Sequence, residues 1–108
     1  MPKVTIDTKA IHDWDTLHAV CKEAFGFPDF YGSNGNAFID CLTCLDEDDG
    51  MSRFVLKPGE TLTVELPGAD EFAERAPGQA VALLAWIGAV NARHADDGKP
   101  PMLVLVPL

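Results

Sequence analysis

Basic residues are scarce. Eight lysines and arginines stand against 17 aspartates and glutamates in 108 residues, for a formal net charge of -9. Between Glu23 and Ser52 there is no lysine or arginine at all. A surface this poor in cations repels a phosphate backbone, which argues against nucleic acid as a partner. Long apolar runs are also missing. The longest, Ala80 to Val90, is about half the ~20 residues a membrane helix needs, so no membrane association is expected. Cysteine is limited to Cys21, Cys41 and Cys44, an odd count with no disulfide framework. The opening MPKVTIDTKA carries charge where a signal peptide has an apolar core. Reduced thiols and a cytoplasmic setting are the expectation.

What is present is an ordinary globular composition, with 47% hydrophobic and 23% charged residues. The length suits one domain over residues 1–108, since either half would be too small to bury a core alone. No repeat and no low-complexity tract interrupts it.

The order of elements points to the α/β class. Val4-Thr5-Ile6 reads as a first strand. Asp13 caps a helix in which Trp14, Leu17, Cys21 and Ala24 share one face, with His18 on the flank. Gly26 and Pro28 end it. A second helix starts near Ser33 or Asn34, with Phe38, Cys41, Leu42 and Leu45 as its apolar stripe. Gly35 weakens its first turn, so something other than helix propensity selects it. Residues 51–60 look irregular. Leu62, Val64 and Leu66 alternate with polar residues as in a strand with unequal faces. Ala69 to Arg75 forms a short helix, and Pro77 opens a longer one with Leu83, Ile87, Val90 and His94 on one stripe. Met102 to Val106 is uninterrupted and apolar, which predicts a strand buried on both faces. Strands separated by helices give a small parallel sheet packed with helices.

No convincing catalytic or metal set emerges. Cys41-x-x-Cys44 is one turn of helix, yet a structural zinc needs four ligands and no second pair exists. A thiol or metal protein built on this pair is the least favoured reading. The run Asp46-Glu47-Asp48-Asp49-Gly50 lacks the spacing of a calcium loop, because its glycine is fifth and its twelfth residue is Lys57. His12, His18 and His94 pair with no nucleophile at a recognisable spacing. Gly32-Ser33-Asn34-Gly35 is too short for a phosphate loop. The expectation is therefore a non-enzyme with no cofactor, no metal and no small-molecule ligand.

The remaining signal is the cation-free stretch itself. It holds seven acids (Glu23, Asp29, Asp40, Asp46, Glu47, Asp48 and Asp49) beside Phe27, Phe30, Tyr31 and Phe38. Aromatics supply contact area and carboxylates supply steering toward a cationic protein.

Residues Phe27 to Thr43, FPDFYGSNGNAFIDCLT, resemble the barstar family. The likeness extends upstream through Ile11 and Leu17-His18, and the tail Met102 to Val106 is similar to the family's last strand. The resemblance implies a three-stranded parallel sheet packed with helices, and an intracellular, immunity-type inhibitor of a basic, barnase-type ribonuclease. It implies that the second helix and its preceding loop cover the nuclease active site, with Asp40 entering it in place of an RNA phosphate. Phe30, Tyr31, Gly32, Asn34, Asn36, Ile39 and Thr43 complete the implied contact set. Asn36 stands where the family has an acid, Ile39 where it has a tryptophan, and Phe30 where it has a tyrosine. An acidic position on the later helix falls on Ala80. Physically, the reading needs Asp40 accessible, neither sealed inside nor locked against an internal arginine. The alternative keeps the fold and changes the partner to some other basic protein.

Overall fold

Alternation along Leu62, Val64 and Leu66 decides which way the sheet faces. In the computed structural model, which describes residues 2–108, strand β2 (Leu62–Leu66) buries these three and leaves Thr63 and Glu65 half-buried on the other side. β2 lies between β1 (Lys3–Thr5) and β3 (Leu103–Pro107), and both pairings are parallel. Lys3 aligns with Thr63 and Val104, and Thr5 with Glu65 and Val106, so these six form the outer face. There the Thr5 hydroxyl donates to Glu65 Oε1 at 3.0 Å, and Lys3 Nζ stands 3.8 Å from the same oxygen. Val4, Leu62, Val64, Leu66 and Leu103 are buried on the inner face.

This corrects the expectation for the last strand. Parallel strands are normally covered on both sides; here β3 is an edge strand and Val104 is 43% exposed. An apolar run alone does not distinguish an edge strand with valines on its open face from a central one.

The helices meet the expected bounds because their ends are chemically marked. Helix α1 (Trp14–Phe25) begins with a capping box: the Thr16 N–H donates to Asp13 Oδ1 at 2.8 Å, and the Asp13 N–H donates to Thr16 Oγ1 at 2.9 Å. It ends at Gly26 in the left-handed region, φ 70. A Cβ there would also stand 2.7 Å from Arg53 Cβ, so conformation and space both demand glycine. Of its expected face, Leu17 and Cys21 are buried and Ala24 partly so, but Trp14 is half exposed, while His18 and Phe25 are buried. Helix α2 spans Gly35–Thr43, α3 spans Ala69–Arg75 and α4 spans Pro77–Asp96. In α4 the stripe Leu83, Ile87, Val90 and His94 is buried as its spacing requires.

Residues 51–60 contain no helix or strand, yet they are fastened down. Ser52 Oγ and the Arg53 N–H both donate to the Phe25 carbonyl, at 2.7 and 2.9 Å. Arg53 Nε donates to the Ala24 carbonyl at 2.9 Å. These carbonyls are among the four orphans at the end of α1, and a cation there also suits the helix dipole. Leu56 is buried, and its N–H donates to the Leu45 carbonyl.

Helices α2 and α4 lie side by side and run parallel. Gly35, the first residue of α2, abuts Trp86 in mid-α4. Thr43, the last, meets His94, whose Nε2 donates to the Thr43 carbonyl at 2.7 Å. This alignment brings the C-terminal turn of α4 beside the C-terminal half of α2.

Candidate protein-binding face

The chain between α1 and α2 turns most of its aromatic side chains inward. Phe27 stacks on Phe25 at 5.4 Å and meets Phe38 edge-on at 5.8 Å. Tyr31 is 8% exposed, and its hydroxyl shares a 2.7 Å hydrogen bond with His18 Nδ1. The His18 ring stacks on Trp86 at 5.4 Å. Burial holds His18 below its usual pKa and pushes the Tyr31 hydroxyl well above its own. The four aromatics of the acidic stretch thus divide unequally. Phe27, Tyr31 and Phe38 belong to the core, and Phe30 stands out with 75% exposure.

Asn34 sets the start of α2. Its Oδ1 accepts from the Ala37 N–H at 2.8 Å, and its Nδ2 donates to the Gly32 carbonyl at 3.2 Å. The residue is exposed, but its amide is already committed to the helix cap. Gly32 and Asn36 are exposed; Ile39 and Thr43 are half-buried, with Ile39 packed against the core. Phe30, Tyr31, Gly32, Ala37, Asp40 and Met51 surround a shallow hollow of about 130 Å³. The structure therefore brings four of the expected residues, Phe30, Tyr31, Gly32 and Asp40, around one hollow, with Phe30 and Asp40 exposed, and sets Thr43 against α4 through Arg93 and His94.

Asp40 is not bare. Its side chain is 61% exposed, but Arg93 of α4 donates from Nη1 to its Oδ1 at 2.6 Å. The same Nη1 donates to Thr43 Oγ1 at 3.2 Å, and that hydroxyl donates to the Ile39 carbonyl at 2.6 Å. The expected unpaired anion is thus an exposed ion pair. Two other acids of the cation-free stretch are also paired. Lys22 approaches Asp29 at 3.8 Å, and Lys99 approaches Asp46 at 2.9 Å. Three of the seven acids receive a cation from outside the cation-free stretch. Lys99's hydrogen bond holds the Asp46 carboxyl below the usual carboxylate range. Glu47, Asp48 and Asp49 remain exposed.

The family model described as Barstar (barnase inhibitor) matches residues 1–106. The chain belongs to the barstar family. A 43-residue stretch is also 42% identical to a protein of Bacillus subtilis (strain 168) named "Putative ribonuclease inhibitor YrdF". That stretch covers 40% of this barstar-family chain and 47% of the relative, so the match spans under half of the relative's length. The family's description names an inhibitor of barnase.

One further expectation for a barstar, a contact position at Ala80, meets the structure differently. Ala80 is buried and lines a hollow with Leu66, Phe72 and Leu105, so it offers no partner contact. It lies about 20 Å along α4 from Arg93 at 1.5 Å per residue. The α4 residue that reaches Asp40 is Arg93, which sequence reasoning missed. It is separated from Asp40 by 53 positions, and only the parallel packing of α2 and α4 joins them.

The cysteines favour burial over chemistry. Cys21 and Cys41 are buried, and burial pushes the Cys21 thiol up to about 12 and raises Cys41 and Cys44. Raised thiols are poor nucleophiles and poor metal ligands at neutral pH. Among the described residues no three His, Cys, Asp or Glu side chains are placed to hold a metal ion, and no helix is long and apolar enough to cross a membrane.

Proposed function

We propose that this chain inhibits a basic, barnase-type ribonuclease by covering its active site with α2 and the loop before it, and that it does so in the cytoplasm as an immunity protein. The observation that carries the reading is the exposed Asp40 carboxylate projecting beside exposed Phe30, in a chain of the barstar family. A nuclease must hold a polyanion, so its cleft is cationic. A rigid helix can present a carboxylate there without offering a scissile bond. The pairing with Arg93 does not remove Asp40 from use. Exposed ion pairs contribute only about 0–1 kcal/mol, and Oδ2 accepts no hydrogen bond among the described residues. A complex that surrounds Asp40 with several donors outweighs that pair, and desolvating the carboxylate requires such donors. Asp40→Ala is expected to weaken inhibition of barnase by at least tenfold, roughly 1.4 kcal/mol. A smaller change removes Asp40 from the mechanism.

The second reading, a module for a different basic protein, draws support from the Asp40–Arg93 pair and from Asn36 and Ile39, which bring no charge and no aromatic ring. A side-by-side titration against barnase and other basic bacterial proteins separates the two. Tighter binding to a protein without nuclease activity would favour the second.

A further inference from the structure

Arg93 is held in place and is not saturated. Its Nη1 is fixed between Asp40 Oδ1 at 2.6 Å and Thr43 Oγ1 at 3.2 Å, and Thr43 is itself tethered to the Ile39 carbonyl. An arginine carries five N–H donors. Nε and Nη2 make no hydrogen bond among the described residues, and the side chain is 46% exposed. The face that should meet a cationic cleft therefore presents a cation beside its central carboxylate. A partner's cation approaching Asp40 meets a neutralised pair and a guanidinium of its own sign.

We propose that Arg93 is a specificity-determining residue that competes with a partner's cations for the Asp40 carboxylate. This rests on the inhibitor reading above. Against a cleft built only of cations, Arg93 lowers affinity, because it must either leave Asp40 or stay in a field of like charge. A partner that places a carboxylate or carbonyl oxygen within reach of the free Nε and Nη2 donors, next to the cation it offers Asp40, escapes that penalty. Arg93 so narrows the range of acceptable nucleases while leaving the fold of the face unchanged.

A double-mutant cycle with barnase as the probe tests the competition. Arg93→Gln keeps most of the side chain's stem and removes its charge; Arg93→Lys keeps the charge and loses the fork. Arg93→Gln is expected to tighten barnase binding at least threefold and to steepen its salt dependence. Asp40→Ala should cost more in the Arg93→Gln background than in the natural chain. Arg93→Lys should stay within twofold of the natural chain. Lys9→Gln makes the same change in net charge at a residue with no ion pair among the described residues, and it should give less than half of the gain. Thermal unfolding of each variant reports any loss of the α2–α4 contact separately. If Arg93→Gln fails to tighten binding while Asp40→Ala costs the same tenfold or more in both backgrounds, the competition is refuted and the inhibitor reading stands. If Asp40→Ala is silent in both backgrounds, the inhibitor reading falls and this inference with it.

Discussion

Gly35 and Trp86 are in contact with no room for a methyl group between them: a Cβ on Gly35 would stand 2.6 Å from the indole Nε1 and 2.8 Å from Cε2. The poor helix former at the start of α2 is thus explained by the neighbouring helix. The same indole stacks on His18 and meets Phe38 at 5.4 Å, so its neighbours oppose a shift away from Gly35. Gly35→Ala gains in helix propensity by up to ~1 kcal/mol yet is expected to lose about 1–3 kcal/mol to overpacking. Urea unfolding measures the balance. Trp86→Phe is expected to relieve most of the Gly35→Ala penalty, and additive losses would show that the indole is not the obstacle.

Stability should fall on mild acidification because of His18. Its folded-state pKa lies below the ordinary 6.5, with burial as the main cause. The unfolded chain therefore binds the proton first. The contribution of neutral His18 is fully present above about pH 6.5 and declines as the pH drops from there toward the folded pKa. Denaturation midpoints at pH 7.5, 6.5 and 5.5 should fall in that order, and His18→Gln should flatten the trend. Tyr31→Phe leaves His18 Nδ1 without its hydrogen bond and should cost about 1–3 kcal/mol at pH 7.5.

Phe30 separates binding from folding. At 75% exposure it supports little of the core. Phe30→Ala is expected to change unfolding free energy by no more than about 0.5 kcal/mol, while weakening barnase inhibition about tenfold or more as a projecting aromatic at an interface centre does. A loss of stability without a loss of inhibition would reverse that assignment.

Thiol titration should distinguish the three cysteines. Cys44 is half-buried, whereas Cys21 and Cys41 are buried. One thiol is expected to react with a disulfide reagent in the folded protein at pH 8, and all three after denaturation. Cys44→Ser should abolish the native reaction. Fast labelling of Cys41 would revive a redox reading for the Cys41–Cys44 pair.

Much of the fold was legible in local chemistry. Asp13, Gly26 and Pro77 mark helix ends because capping and backbone freedom are properties of single residues. The stripe ending in His94 was legible because helical periodicity is local as well. Three things were not. The exposure of Val104 depends on which strand takes the centre of the sheet. The fastening of Ser52 and Arg53 depends on carbonyls of α1 nearly thirty positions away. The state of Asp40 depends on a cation from another helix. Composition showed correctly that the acidic stretch has no base of its own, but a stretch without bases can still be paired once the chain folds.

Asp46 is moored to Lys99 on one side of the acidic run, and Ser52 with Arg53 is moored to the end of α1 on the other. Glu47, Asp48 and Asp49 lie exposed between these two posts, so neither helix depends on their side chains for its position. Exposed loops absorb changes of length at small entropic cost. A change of charge in this margin is therefore expected to leave the folded state intact.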